Sequence, residues 1–86
     1  MIVRIPSPLF SYTGGRDRAE ARGSTVGEVM SDLERQFPGL RFRIVDEQDR
    51  IRTHILVYVS GTPARTLAHP VSAGDEVMIV AALSGG

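Results

Sequence analysis

The chain contains no cysteine and no lysine among its 86 residues. Without cysteine there are no disulfides, no thiolate nucleophiles and no cysteine-ligated zinc or iron–sulfur sites. That composition fits a reducing, cytoplasmic home. Without lysine, all ten basic residues are arginines, and no side-chain amine is offered for isopeptide-linked chains of copies. The formal net charge is zero, so the basic excess of a dedicated nucleic-acid binder is missing. Long apolar runs are missing too. The longest is the seven residues from Val77 to Leu83, whereas a helix needs about 20 to span a bilayer. Met1-Ile2-Val3-Arg4-Ile5-Pro6 lacks the basic region and apolar stretch of a secretion signal. The expected partners therefore include neither nucleic acid nor membrane.

What remains is one small domain. At 86 residues the chain is too short for two independent cores, and 42% hydrophobic residues is too many for a disordered segment. A domain of this size is marginally stable and relies on regular elements and modest loops. There is no internal repeat, linker or low-complexity stretch.

Ile2 to Ile5 alternates as a strand and stops at Pro6, with Val3 and Ile5 sharing a face. Pro6 to Gly15 reads as a loop. Arg18 to Arg22 is a candidate second strand whose Ala19 and Ala21 turn toward the core. The clearest element is a helix. Thr25 and Glu28 make a T-x-x-E capping box, in which the Thr oxygen accepts the N–H three residues on and the Glu reaches back. Val26, Val29, Met30, Leu33 and Phe37 follow at helical spacing, and Pro38-Gly39 stops the helix. Gly27 is a local cost of roughly 1 kcal/mol in such a helix. Leu40 to Val45 alternates and is read as a short strand or an ordered loop; Asp46 to Thr53 reads as a charged surface loop. Ile55 to Val59 is a strand of β-branched and aromatic residues, Ser60-Gly61-Thr62-Pro63 a turn, and Ala64 to Val71 irregular, with Leu67 and Val71 as core plugs. Glu76 to Ala82 is apolar on both faces and belongs in the middle of a sheet. Strand, strand, helix, strand, final strand is the order of an α+β β-grasp domain: one mixed sheet of four to five strands packed on one main helix. Residues 1–82 form that domain and 83–86 an expected flexible tail ending in Gly-Gly.

Five segments carry a resemblance over essentially the whole chain: Ser24-Thr25-Val26-Gly27-Glu28-Val29, Phe37-Pro38-Gly39-Leu40, Ile55-Leu56-Val57-Tyr58-Val59-Ser60-Gly61, Ala73-Gly74-Asp75-Glu76-Val77 and Leu83-Ser84-Gly85-Gly86. The sequence resembles the ThiS/MoaD family of ubiquitin-like sulfur carriers. Thr13-Gly14-Gly15 is similar to the mycobacterial-type carriers of cysteine biosynthesis. Two stretches, around 7–18 and 41–54, are longer than in thiamine-pathway carriers, and Ser60 stands where the family usually has Asn.

The resemblance implies a carrier with no catalytic residue, bound cofactor or metal site of its own. Gly86 would be the reacting position. An E1-like adenylyltransferase/sulfurtransferase would use ATP and Mg to turn its carboxylate into an acyl-adenylate, and a sulfur donor would displace AMP to leave a thiocarboxylate. A second partner, a sulfur-accepting synthase of molybdopterin, cysteine or thiamine type, would take the sulfur. Leu83, Ser84 and Gly85 would thread the partner's active site; glycines lack the Cβ that would crowd a narrow channel. The alternative is a ubiquitin-like modifier joined through Gly86 to target lysines, which shares the adenylate step.

Other residues offer little chemistry. His54 and His69 are single histidines without ligand spacing. Thr13-Gly14-Gly15 lacks the Lys-Ser/Thr of a phosphate loop. Arg41, Arg43, Arg50 and Arg52 form a basic cluster nearly cancelled by Asp46, Glu47 and Asp49, and read either as a solvated loop or as a docking element. One helix covers one sheet face. Leu56, Tyr58, Met78 and Val80 are therefore expected on the other as an apolar, partner-docking patch, unless residues 41–54 cover them or the strands have the opposite phase.

Overall fold

The structure, a computed structural model, describes residues 1–82. The expected tail, residues 83–86, lies outside them. Five strands form a single sheet: β1 (Ile2–Arg4), β2 (Arg18–Glu20), β3 (Ile55–Val59), β4 (Thr62–Ala64) and β5 (Glu76–Ala81). Their spatial order is β2-β1-β5-β3-β4. β5 runs parallel to β1 and antiparallel to β3, and the β1–β2 and β3–β4 pairs are antiparallel. The last strand in sequence is thus the middle strand in space, as its two apolar faces require.

The helix α2 (Val26–Gln36) covers one face. Its buried Val26, Val29, Met30 and Leu33 meet Val3, Ile55, Val57, Val59, Val77 and Ile79 of the sheet, and Ile5 just past β1, in one core. Ala19 and Ala21 are buried in it as well. Thr25 caps the helix, its hydroxyl accepting the Glu28 N–H at 3.2 Å. The return half of the capping box differs from the expected form. The Glu28 carboxylate accepts from the N–H and hydroxyl of Ser24, at 2.8 and 2.9 Å, one residue before the cap.

All four first-turn N–H groups of α2 are satisfied, as buried helix ends demand. Thr25 accepts two, from Glu28 and Val29, and the carbonyls of His69 and Leu67 accept those of Val26 and Gly27. This explains Gly27. A Cβ there would lie 3.2 Å from the Leu67 Cβ and 3.3 Å from its carbonyl oxygen. The helix gives up propensity at Gly27 so that the irregular 65–71 segment can seal its start.

Three segments read as loop, turn or strand prove otherwise. Pro6 to Gly15 contains a 3₁₀ turn (Ser7–Leu9) and a one-turn helix, α1 (Phe10–Thr13), because Leu9 and the hydrogen-bonded Thr13 are buried. Thr62 to Ala64, expected as turn and irregular chain, is strand β4. A two-residue turn, Ser60-Gly61, with both φ positive (+46° and +85°), leads into it and suits a tight hairpin. Ser60 holds a conformation that favours Asn or Gly by donating its hydroxyl to Asp75 and its N–H to the Glu76 carbonyl, both at 2.8 Å. Leu40 to Val45, expected as strand or loop, is the short helix α3 (Leu40–Ile44). Leu40 and Ile44, four apart, are both fully buried, while Phe42 between them is 54% exposed. The Glu34 carboxylate accepts the N–H groups of Gly39 and Arg41 and so anchors the start of this helix.

Glu34 illustrates a recurrent device. Five carboxylates titrate below their ordinary values because N–H, O–H or guanidinium groups bond their charged forms: Glu28 through the Ser24 N–H, Asp32 through Arg35 and then the Arg22 N–H, Glu34 through Gly39 and Arg41, Asp46 through Arg50, and Asp75 through Ser72 and then Ser60. A carboxylate whose folded pKa is depressed stabilises the fold above its unfolded value and loses that contribution as pH falls through the folded value. Urea unfolding midpoints are therefore expected to hold steady between pH 7 and about 5 and to fall below about pH 4. A Glu34→Gln variant should show less of that decline; an identical pH profile would contradict this role for Glu34.

Candidate functional site

The described part of the site is the end of β5 and the sheet face opposite α2. Along β5, Val77 and Ile79 point into the core while Met78 and Val80 point outward. The strand stays paired to its end. Ala81 lies opposite Ile55, and the Ala82 N–H donates to the His54 carbonyl at 2.8 Å. The chain is thus held by backbone bonds to the residue before Leu83. Leu83, Ser84, Gly85 and Gly86, the residues expected to carry and thread the reacting carboxylate, lie outside the described residues.

The outer face brings together the four residues singled out for docking. Leu56 stands opposite Val80, and Tyr58 opposite Met78, as neighbouring cross-strand pairs. The strand phase is fixed by the burial of Ile55, Val57 and Val59 on the helix side. Leu56 is 47% and Met78 40% exposed, and Tyr58 and Val80 are half-buried. Residues 41–54 leave Leu56 and Met78 open: Ile44 and Val45 are buried in the core, and Ile51 packs against it. Beside the patch, Arg4 and Glu76 form an ion pair at 3.3 Å. Arg4 is the register partner of Met78 across β1 and β5. Toward the sheet edge, Leu56 and Tyr58 border a groove completed by Pro63, Arg65 and Arg52.

The basic cluster of the 41–52 region resolves into two halves that sequence could not separate. Arg41 pairs with Asp49 at 3.1 Å. Asp46 is occupied by the N–H groups of Gln48 and Arg50, and Arg50 bonds Gln48. Arg43 and Arg52 turn elsewhere. Arg52 donates to the Phe42 carbonyl at 2.8 Å and lies over the Phe42 ring at 4.6 Å; Arg43 lies 6.0 Å over Tyr12. Both arginines line a hollow with Phe42, Glu47 and His54, at the root of the tail. Counting charges along the chain cancelled this feature. The signal that could have found it is the Arg41-Phe42-Arg43 alternation together with Arg52, three residues before a strand whose first residue, Ile55, lies opposite Ala81.

The histidines do not converge. His54 precedes β3, and His69 lies in the segment that seals α2. Among the described residues, no group of three His, Cys, Asp or Glu could hold a metal ion, and no helix is long and apolar enough to cross a membrane.

Comparison with known proteins gives a consistent picture. The chain is 36% identical to the sulfur carrier protein CysO of Mycobacterium tuberculosis, over 98% of this chain and 96% of that protein. The crystal structure of M. tuberculosis CysO superposes with a TM-score of 0.89 at 32% identity, covering 95% of this chain and 98% of that one. A chain of the BexX/CysO complex from Amycolatopsis orientalis gives 0.91 at 35% identity, covering 99% and 98%. SAMP1 from Haloferax volcanii gives 0.78 at 30%, covering 100% and 98%. These are ubiquitin-like β-grasp structures, and the same mixed five-stranded sheet packed on a helix is found here. The model of the ThiS family matches residues 3–86, and the chain belongs to that family.

Proposed function

We propose that the protein is a sulfur carrier whose reacting group is the Gly86 carboxylate. The observation that carries this reading is that the family match runs through residue 86, directly beyond a central strand held by backbone bonds as far as Ala82. The near-full-length similarity to CysO supports it.

A carboxylate is a poor electrophile, so an E1-like adenylyltransferase activates it. One Gly86 oxygen attacks the α-phosphorus of ATP, whose charge Mg helps to neutralise, and pyrophosphate leaves. A sulfur nucleophile then attacks the acyl carbon and expels AMP, leaving a thiocarboxylate. That sulfur passes to a small-molecule precursor held by a second enzyme, a synthase. Leu83, Ser84 and Gly85 thread the partner's active site, where residues without Cβ let the carbonyl approach the nucleotide closely. The carrier contributes the reacting group and a docking face, and the partners contribute acid, base and metal.

Leu56, Tyr58, Met78 and Val80 make that docking face. Apolar residues flanked by an Arg–Glu pair have the composition of an interface core with a polar rim. A modifier role, with a lysine amine in place of sulfur as nucleophile, is the second reading. The similarity to SAMP1 of H. volcanii, a small archaeal modifier protein, favours it. The two readings share every step to the acyl-adenylate.

Incubating the full chain with its adenylating enzyme, ATP, Mg and sulfide is expected to raise the intact mass by one oxygen-to-sulfur exchange, located by fragmentation to Gly86. An unchanged mass, together with Gly-Gly remnants on lysines of other proteins, would replace the carrier reading with the modifier reading. Leu56→Asp places a charge in the centre of the outer face at an exposed position. Binding to the adenylating enzyme should weaken about tenfold or more while the thermal midpoint stays within a few degrees. Unaltered affinity would remove the face from the interface.

A further inference from the structure

We infer that the hollow lined by Phe42, Arg43, Arg52 and His54 is a second docking element, which takes a carboxylate-bearing surface of the enzyme that processes the tail. The inference rests on the carrier reading and adds to the apolar face a charged contact beside Ala82.

Position comes first. The His54 carbonyl accepts the Ala82 N–H, so the residue that lines this hollow also holds the chain where the tail begins. An enzyme that draws residues 83–86 into its active site must bring its own surface up to this rim. Arg52 also borders the groove formed by Leu56 and Tyr58, so the hollow and that groove share one side chain.

Charge comes second. Among the described residues, Arg4, Arg18, Arg35 and Arg41 each form a salt bridge and the other six arginines form none; of those six, Arg43 and Arg52 are the two that line this hollow. Their orientation is set by aromatic rings and, for Arg52, by a single hydrogen bond from Nε to the Phe42 carbonyl. That leaves both terminal nitrogens of Arg52 to fork onto a carboxylate, and a ring-stacked guanidinium loses little further freedom on binding. Phe42, at 54% exposure, is the most exposed of the large hydrophobic residues described. Arginine beside an exposed aromatic is a common composition of protein interfaces.

The same residues argue against a polyphosphate or nucleic-acid occupant. Glu47 lines the hollow, and the chain as a whole is neutral, whereas a phosphate backbone is gripped by a continuous basic tract. Glu47 opposes an acidic partner as well, and it gives the inference an internal control of opposite sign.

The test is the association rate of the full chain with its adenylating enzyme, measured by stopped flow at low and high salt. Arg43→Glu and Arg52→Glu are each expected to slow association about tenfold at low salt, Glu47→Gln to speed it severalfold, and all three differences to shrink at high salt. The Arg43 side chain makes no hydrogen bond among the described residues, so Arg43→Glu gives up only its contact over Tyr12 and should fold normally, with a thermal midpoint within a few degrees. Rates that ignore the substitutions would overturn the inference. So would effects of the reverse sign, or binding of a fluorescent single-stranded oligonucleotide that depends on Arg43 and Arg52. Sulfur loading at saturating enzyme separates the two levels. A wild-type chain that loads normally while its rates ignore all three substitutions sinks the rim alone, whereas a wild-type chain that never loads sinks the carrier reading and the rim with it.

Discussion

The hydrogen-bonded seat of β5 between β1 and β3 is the constraint on which the rest depends. A middle strand has both edges paired and cannot move without breaking two ladders, with β1 on one side and β3 on the other. Its inward residues, Val77 and Ile79, sit at the centre of the core, and its outward residues, Met78 and Val80, sit at the centre of the exposed face. Val77 and Met78 are paired on both sides, and β3 alone carries the strand on through Ala81. The Ala82–His54 bond extends that hold one residue past the strand.

A single long helix on one side of a five-stranded sheet divides the labour between faces. The helix side carries stability: Val26, Val29, Met30 and Leu33 are fully buried there. The irregular 65–71 segment closes the first turn of α2, and Gly27 permits its approach. Loop ends are pinned by carboxylates that bond backbone N–H groups. These acids stand apart from the outer face, so holding the fold and meeting a partner draw on different residues. The opposite face leaves Leu56 and Met78 exposed side by side with Tyr58 and Val80, and contiguous apolar residues left open on a small domain are a mark of an interaction site.

Much of this was legible in the sequence because the signals were local and mutually consistent. The Thr25 cap and the 3.6-residue spacing of Val26, Met30 and Leu33 placed α2, and the two-faced apolar run placed β5 at the centre. The alternation of Ile55 to Val59 placed Leu56 and Tyr58 on one face, where they now pair with Val80 and Met78. What escaped was decided by tertiary context. Leu40, Phe42 and Ile44 alternate like a strand, yet Leu40 and Ile44 are also four apart, and burial on α2's flank chose the helical pairing. β4 is three residues long with Pro63 at its middle, on an edge where proline is tolerated. Arg43 and Arg52 were hidden because a sum of charges along the chain cannot tell which acids are already taken by backbone N–H groups.

The central claim is that the folded domain presents a terminal carboxylate and does nothing chemical itself. The most direct measurement compares the full chain with one ending at Ser84, following folding, enzyme binding and sulfur loading together. The account predicts that removing Gly85 and Gly86 leaves the thermal midpoint unchanged and binding within about tenfold, while loading disappears. A shortened chain that still acquires sulfur, or one that no longer folds, would contradict it.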